Sequence, residues 1–197
     1  MNRAAGRLFV VSSPSGGGKT TVIREAVKRN PELRYSVSAT TRPARAGELE
    51  GVDYIFMKRG DFEERREAGD FLEWARVHGD FYGTPRKPVS AWLAEGRNIL
   101  LDLDVQGAAA VRREMRESVL MFLVPPSIAA LRRRLEKRGT DSAETIERRV
   151  RQAEEELRQS EEYDFIIFNH RVEDAVTQLL SVIAHFEKLS PVGEKVF

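Results

Sequence analysis

The sequence predicts an α/β fold in which a three-layer core on a parallel sheet carries an inserted small α+β lobe. Apolar runs at residues 8–11, 98–105, 119–124 and 163–168 are typical of strands buried on both faces of a parallel sheet. Amphipathic helix patterns separate most of these runs. Between residues 51 and 82 the elements become short, which indicates a separate small lobe inserted between larger α/β elements.

The elements follow one another in a regular order. A first strand at 8–11 leads through a glycine-rich turn into a helix that runs to about Asn30–Pro31, where the proline ends it. The remaining predictions, in chain order, are a short strand within 34–45 that leads into a polar loop, a strand at 52–57, a helix at 61–68, strands at 71–77 and 80–82, a helix at 85–95, a strand at 98–105, a strand at 119–124, a helix from 127, a helix capped by Asp141 or Ser142, a strand at 163–168 and a helix at 172–189.

The most informative stretch is residues 12–21, directly after the first apolar run. Its three consecutive glycines, residues 16–18, allow successive backbone N–H groups to converge on one anion at the N-terminus of a helix. Lys19 adds a positive charge for the phosphates of a nucleoside triphosphate, and the Thr20 hydroxyl is placed to bind Mg²⁺. The stretch therefore predicts a phosphate-binding P-loop and, with its flanking strand and helix, a P-loop NTPase fold.

One position departs from the general pattern G-x-x-x-x-G-K-[ST]. This chain has Ser13 where the pattern has its first glycine. A glycine-rich turn after a buried strand is more often a plain strand-to-helix connection. The ending Gly18-Lys19-Thr20, which opens an amphipathic helix, favours the phosphate-binding interpretation.

Composition narrows the class of protein. The 197 residues suffice for one globular domain, and 32 basic against 31 acidic residues leave a net charge of +1. That balance disfavours binding to nucleic acid. There is no cysteine, no stretch as long as a membrane span, and no apolar signal-peptide core in the first six residues. We therefore expect a cytoplasmic protein that contacts no membrane.

Two carboxylates fall at the end of the apolar run 98–105. Ligands of open α/β sheets gather at the carboxyl ends of the strands, so Asp102 and Asp104 are candidate site residues. A buried carboxylate needs a partner, such as a hydrated Mg²⁺ or a ligand donor. The alternative is that one of them only caps a helix that starts near Gly107.

These stretches together resemble guanylate kinases. The resemblance rests on residues 12–21, 36–45, 51–54, 71–75, 82–84, 101–107 and 138–140, and it follows the family's order over nearly the whole chain. It implies transfer of the γ-phosphoryl group of ATP to GMP, with Mg²⁺, giving ADP and GDP. It also implies a single domain with a core at about 1–34, 85–137 and 150–197, a GMP-binding lobe at about 35–84 and a lid at about 138–149.

The resemblance assigns the acceptor site to residues of two kinds. Arginines and tyrosines hold the GMP phosphate, since Arg donates paired hydrogen bonds to phosphate and Tyr hydroxyls fill the remaining acceptors. Carboxylates and hydroxyls bind the guanine edge, which offers N1–H and an amine as donors where adenine has an unprotonated N1. The implied GMP-binding residues are Ser38, Arg42, Arg45, Tyr54, Glu73, Tyr82, Gly83, Thr84 and Asp104.

The resemblance also assigns the donor site. Its ATP-binding residues are Ser13, Pro14, Ser15, Gly16, Gly17, Gly18, Lys19, Thr20 and Thr21, with Asn169 near the adenine. The implied catalytic residues are Lys19, Arg42 and the lid arginines Arg134, Arg138 and Arg149. Thr20 would bind Mg²⁺, with water-mediated help from Asp102. Without the resemblance, the lid arginines would be read as a solvated helix face.

Other functions remain as alternatives. A P-loop kinase of ribose 1,5-bisphosphate would not need the guanine-binding residues Glu73, Asp104, Ser38 and Thr84. A non-catalytic guanylate-kinase-like module that binds phosphopeptides typically has a degraded P-loop, whereas Gly18, Lys19 and Thr20 are intact here. The sequence leaves open whether the protein is a monomer or a homodimer.

Overall fold

The computed structural model describes residues 6–77, 79–138 and 142–188. Strands and helices alternate along much of this chain, as an α/β protein requires. The strands are β1 (Leu8–Ser12), β2 (Arg34–Tyr35), β3 (Ala39–Thr40), β4 (Ile55–Phe56), β5 (Phe71–Val77), β6 (Asp80–Pro85), β7 (Ile99–Asp102), β8 (Val119–Val124) and β9 (Phe165–Phe168). The helices are α1 (Lys19–Arg29), α2 (Arg59–Glu67), α3 (Arg86–Ala94), α4 (Val105–Glu114), α5 (Ile128–Arg138), α6 (Ala143–Arg158) and α7 (Val172–Lys188).

The described residues form two compact units. The first unit holds residues 6–8 and 32–118, and the second holds 9–31 and 119–188. In the second unit β8 pairs in parallel with β1 on one side and with β9 on the other, so that Val11 lies beside Met121 and Leu123 beside Ile167. Helix α1 packs against α7. The predicted α/β class with parallel strands is confirmed.

The first unit contains a parallel pair, β2 with β7, and a separate four-stranded sheet in the order β4-β3-β6-β5. In that sheet β3 and β5 are antiparallel to β6, and β3 is parallel to β4. Helix α2 covers the sheet with Phe62, whose ring stacks on Phe71 at 4.4 Å and on Phe81 at 5.3 Å between centroids. This mixed sheet and its helix form the α+β part of the predicted fold.

Several predicted element limits were wrong. The single short strand expected within 34–45 is two strands, β2 and β3, in different sheets. The strand expected at 52–57 is only Ile55–Phe56, because residues 51–53 form a turn in which Gly51 has a φ of 72°. Strand β9 is not buried on both faces. Within its sheet it pairs only with β8, and Ile166 and Phe168 are exposed by 37% and 51%.

The strand expected at 98–105 ends at Asp102, and α4 begins at Val105 instead of near Gly107. The side chain of Asp104 caps α4, since its Oδ1 accepts a hydrogen bond from the backbone N of Gly107 at 2.8 Å. The capping alternative is therefore confirmed for Asp104. Because helices leave their first N–H groups unpaired, a carboxylate at this position satisfies a donor that would otherwise need water.

Helices α5 and α6 pack on each other through an apolar stripe. The stripe consists of Leu131, Leu135, Ile146, Val150 and Ala153. The predicted cap at Ser142 is confirmed, because its Oγ accepts from the backbone N of Thr145 at 3.3 Å, while Asp141 lies outside the described residues. Leu157, four positions after Ala153, is only half-buried, and the adjacent Glu156 is buried instead. Among the described helices, none is both long and apolar enough to span a membrane.

Candidate functional site

The glycine-rich loop connects β1 to α1 in the second unit. Gly16 and Gly18 have φ angles of 85° and 92°, in the left-handed region where a Cβ is strained. The backbone N of Gly17 donates to the oxygen of Pro14 at 2.8 Å, which closes a tight turn. The loop leads directly into α1, a helix of eleven residues. The first turn of α1 contains no acidic residue that would repel an anion. This is the geometry that binds phosphate through backbone amides.

Ser13, the departure from the general pattern, lies inside this turn. It is 9% exposed, and its Oγ donates to the Pro14 oxygen at 3.3 Å. A Cβ placed on Gly17 would lie 3.0 Å from the Cβ of Ser13 and 2.9 Å from the Pro14 oxygen. With Ser13 in place, position 17 therefore has no room for a Cβ, and Ser13 itself fits inside the turn without being glycine.

Lys19, Thr20 and Thr21 form the first turn of α1. Lys19 is half-buried, and both threonines are exposed. Mg²⁺ bound to a nucleoside triphosphate keeps several waters and takes few protein ligands, so an exposed hydroxyl next to the phosphate-binding amides suits it. Among the described residues, no three His, Cys, Asp or Glu side chains form a group that could hold a metal by themselves. Thr20 therefore fits a metal that is held mainly by phosphate oxygens and water.

Two side chains donate hydrogen bonds to a backbone carbonyl oxygen of the loop. Asn169, at the end of β9, donates from Nδ2 to the oxygen of Gly17 at 2.7 Å, and Arg134 of α5 donates from Nη1 to the same oxygen at 3.1 Å. Asn169 is 2% exposed. Both residues were predicted for the donor site, and the structure brings both of them to the loop.

The other two predicted lid arginines lie on α5 and α6. Arg149 is a half-buried residue of α6, whereas the side chain of Arg138 is outside the described part of the chain. An ion pair links these helices, since Arg132 contacts both carboxylate oxygens of Glu147, with Nη2 to Oε2 at 2.9 Å. The positive charge of Arg132 lowers the pKa of Glu147 below its ordinary value through this hydrogen bond. Sequence reasoning did not identify this pair.

The first unit holds the predicted acceptor residues, beginning with Arg42. Its Nη2 donates to both carboxylate oxygens of Glu48 at 2.9 Å, and its Nη1 donates to the oxygen of Pro43 at 2.6 Å. Oε2 of Glu48 also accepts from the backbone N of Arg45 at 2.7 Å. Burial opposes the charge of Arg42, but hydrogen bonds to Glu48 and Tyr82 outweigh it, so the pKa of Arg42 is raised above its ordinary value.

Aromatic rings surround the Arg42 guanidinium. Its carbon lies 5.3 Å from the ring centroid of Tyr54 and 6.0 Å from that of Phe56, and the rings of Tyr54 and Tyr82 meet edge to face at 5.9 Å. Burial, aided by the negative charge of Asp102, raises the pKa of Tyr54 to about 12. The Tyr54 hydroxyl is therefore protonated at neutral pH and can donate a hydrogen bond to an anion. The structure brings Arg42, Tyr54 and Tyr82 together, as predicted.

The second group in this unit centres on Glu73 of β5. Thr84 of β6, fully buried, donates from Oγ1 to Oε1 of Glu73 at 2.6 Å, and Glu73 itself is 6% exposed. Burial raises the pKa of Glu73 to about 7 despite the Thr84 hydrogen bond, and the negative charge of Asp104 adds to the increase. A Cβ on Gly107 would lie 2.9 Å from Oε2 of Glu73 and 3.3 Å from Oδ1 of Asp104. The two carboxylates therefore both lie close to Gly107, in space that a side chain at that position would fill.

The remaining predicted acceptor residues have different surroundings. Ser38 is 5% exposed, and its backbone oxygen accepts from Ile55 at 2.9 Å, while Arg45 is exposed. Gly83 serves the packing of the small sheet, because a Cβ there would lie 3.0 Å from Phe71 and 3.1 Å from Phe62. These positions are consistent with the predicted set, but no ligand contact follows from them alone.

Sequence reasoning missed Glu48 and Gly107. The signal for Glu48 was an acidic residue three positions after Arg45 in a polar loop, where it can accept from both arginines. The signal for Gly107 was a glycine three positions after a capping carboxylate, since small residues allow the carboxylate and its neighbours to approach the helix backbone closely.

Comparison with known proteins gives a consistent result. A family model described as guanylate kinase matches residues 5–186. A guanylate kinase of Carboxydothermus hydrogenoformans is 48% identical over 186 residues, which cover 94% of this chain and 91% of that protein. A guanylate kinase of Thermotoga maritima is 45% identical over 178 residues, which cover 90% of this chain and 86% of that protein.

The fold has a close counterpart among solved structures. The crystal structure of guanylate kinase from Anaplasma phagocytophilum superposes with a TM-score of 0.81 at 33% sequence identity. The match covers 96% of this chain and 92% of that one. Such coverage means that the likeness includes the small sheet and the glycine-rich loop, and it agrees with the predicted P-loop NTPase fold.

Proposed function

The chain belongs to the guanylate kinase family, which makes it a kinase that transfers the γ-phosphoryl group of ATP to GMP, and we propose how its residues divide that reaction. The observation that carries the proposal is the buried pair of Glu73 and Thr84, with Asp104 also close to the position where a Cβ of Gly107 would lie. A carboxylate that is 6% exposed and has a hydroxyl donor on one oxygen has acceptor capacity left for a ligand.

In this proposal Glu73 and Asp104 accept hydrogen bonds from the N1–H and amine of guanine. Ser38 and Thr84 complete the polar edge of the base site. Adenine presents an acceptor at N1, which would face a carboxylate without a proton between them. The buried position of Glu73 makes this mismatch costly, because a buried polar group without a partner loses its hydration as well.

The GMP phosphate would bind at Arg42 and Arg45, with Tyr54 and Tyr82 donating from their hydroxyls. Arg42 is held by Glu48 and stacked on aromatic rings, so it is ordered before the ligand arrives. Such order lowers the entropy that binding would otherwise cost. The high pKa of Tyr54 keeps its hydroxyl available as a donor.

The donor phosphates would bind at the glycine-rich loop, through the backbone amides of residues 16–20 and the ammonium of Lys19. The Thr20 hydroxyl would hold Mg²⁺, and the metal would supply charge neutralisation for the phosphates. Transfer between two phosphates needs no dedicated general base, because the attacking GMP oxygen is already anionic. The residues then act by alignment and charge compensation, with Arg134, Arg138 and Arg149 as further positive charges.

The competing functions make different demands on these residues. A kinase of ribose 1,5-bisphosphate has no base to read, so it gives no reason to bury Glu73 beside Thr84. A phosphopeptide-binding module has no use for a phosphate loop with Gly16 and Gly18 in the left-handed region. Both features are present in this chain, and both suit the kinase.

The test is an assay of ADP release with ATP and a panel of acceptors, namely GMP, dGMP, AMP, CMP, UMP and ribose 1,5-bisphosphate. We expect GMP to give the highest kcat/KM among the ribonucleotides, by at least about a hundredfold over AMP. Equal rates with GMP and AMP would contradict the assignment of the base site. Turnover of the bisphosphate alone would replace the proposed function with the alternative one.

A further inference from the structure

Asn169 binds the glycine-rich loop and is almost fully buried. Its Nδ2 donates to the Gly17 oxygen at 2.7 Å, and the side chain is 2% exposed. Its backbone N donates to the oxygen of Val124 at 2.9 Å, which continues the pairing of β8 and β9. The residue is therefore fixed by the sheet, with almost no surface left for the edge of a base.

Asn169 also lies close to Gly18, the residue that follows the Gly17 carbonyl. A Cβ on Gly18 would lie 2.6 Å from Nδ2 of Asn169 and 3.3 Å from Nη1 of Arg134. Gly18 has a φ of 92°, so the position is restricted to glycine by conformation as well as by space. Asn169 thus packs directly on the last residue before α1.

The hydrogen bond determines where the loop's amide points. No peptide bond in the described residues is cis, and in a trans peptide the C=O and the N–H point in opposite directions. Because Asn169 and Arg134 both bind the Gly17 oxygen on one side, the N–H of Gly18 is directed to the other side. An amide oriented in advance binds an anion without the cost of reorganising the loop.

We propose that Asn169 is a positioning residue that orients the Gly17–Gly18 peptide for the triphosphate, and that it does not read the adenine. Arg134 supports it by donating to the same oxygen. The inference rests on the proposed function of the loop, and it changes the role expected for Asn169 from base contact to phosphate contact through the backbone. If Asn169 only positions the loop, its substitution should weaken binding by the same factor for every ligand that carries the phosphates, with or without a base.

The test compares ATP with a ligand that has no base. Binding of ATP and of inorganic tripolyphosphate, each with Mg²⁺, is measured by calorimetry for the wild-type protein and for Asn169→Ala and Asn169→Asp. Asn169→Asp keeps the shape of the side chain and removes the N–H donor. We expect both variants to lose about tenfold in affinity, by the same factor for the two ligands. His170→Ala, at the exposed neighbour of Asn169, is the matched control and should leave both affinities unchanged.

Three results would overturn the inference. A loss for ATP with unchanged tripolyphosphate binding would make Asn169 an adenine reader, and no loss for either ligand would make the hydrogen bond irrelevant. Failure of the wild-type protein to bind tripolyphosphate would remove the loop's role in phosphate binding. Retained GMP affinity and an unfolding temperature close to wild type show that a variant is folded. Since tripolyphosphate binding uses no GMP, wild-type turnover of ATP with GMP tests the proposed function separately.

Discussion

Thr84 donates a hydrogen bond from its Oγ1 to Oε1 of Glu73 across 2.6 Å, and both side chains are buried. The two residues are eleven positions apart and face each other in the antiparallel pairing of β5 with β6. One carboxylate oxygen of Glu73 therefore has a donor within the protein. The other, Oε2, lies near Gly107 and is the oxygen that we assign to guanine.

Glu73→Gln tests this assignment. The substitution replaces one acceptor oxygen by an NH₂ group that faces a guanine donor, which costs about 1 to 3 kcal/mol. We expect kcat/KM for GMP to fall roughly tenfold to hundredfold, with ATP affinity unchanged. The ratio of kcat/KM for GMP over AMP should fall as well. Glu64→Gln, at an exposed position of α2, is the control, and an unchanged ratio in Glu73→Gln would leave base recognition to Asp104, Ser38 and Thr84.

GMP binding should depend on pH through Glu73. Because its pKa is raised to about 7, part of the free protein carries a protonated Glu73 at neutral pH, and only the ionised form accepts N1–H. We therefore expect GMP affinity to rise as the pH increases from about 5.5 to about 8, roughly tenfold for each unit below the pKa. Calorimetry in buffers of different ionisation enthalpy should detect release of a proton on binding at pH values below the pKa. Glu73→Gln should lose the part of both effects that comes from Glu73 and keep only the part that comes from the GMP phosphate, whose second pKa is about 6.

The same ionisation affects the stability of the free protein in the opposite direction. The pKa of Glu73 is raised in the folded state from an ordinary value of 4.5 to about 7. Its contribution to stability is thus fully present below the ordinary pKa and is lost as the pH rises through the folded-state pKa. Urea unfolding of the wild-type protein and of Glu73→Gln should show a difference in free energy that changes across this window. A constant difference would contradict the raised pKa.

Lys19→Ala should abolish turnover and leave GMP affinity nearly intact. Lys19 starts α1 next to the amides of the glycine-rich loop, and none of the predicted acceptor ligands lies on that helix. Loss of a charge that binds the transferred group should raise the barrier by several kcal/mol, on the order of a thousandfold in kcat. Lys28→Ala, at an exposed position later in α1, is the control. Activity of Lys19→Ala within a few-fold of wild type would remove Lys19 from catalysis.

Arg42→Lys should weaken both GMP binding and turnover. An ammonium cannot donate to both carboxylate oxygens of Glu48, contact the Pro43 oxygen and stack on Tyr54, as the guanidinium does. We expect GMP affinity to fall roughly tenfold, measured by calorimetry. Arg59→Lys, whose side chain is 57% exposed, provides a matched change elsewhere in the unit. If Arg42→Ala bound GMP like wild type, the loop at 42–48 would be ordinary surface.

Features that depend only on residues close together along the chain could be predicted before the structure was known. The glycine-rich loop could be predicted because Gly16 and Gly18 adopt backbone angles that other residues avoid, and that preference is local. The apolar stripe that joins α5 to α6 follows from the helical period of the sequence. The cap at Ser142 is equally local, because its side chain accepts a hydrogen bond from the backbone N of Thr145, three residues later. The capping role of Asp104 was visible for the same reason, although only as an alternative.

The pairing of polar groups from distant segments could be seen only in the folded structure. Asn169 and Gly17 are 152 positions apart, and no periodicity in either segment indicates that an amide of one binds a carbonyl of the other. The pKa of Glu73 depends on burial under other elements and on the charge of Asp104, and the exposure of Phe168 depends on which elements cover that face of β9. The local sequence limits the conformations that a residue can adopt. The burial of a side chain and the pKa of its ionisable group depend instead on all the residues that surround it in the folded protein, most of which are distant along the chain.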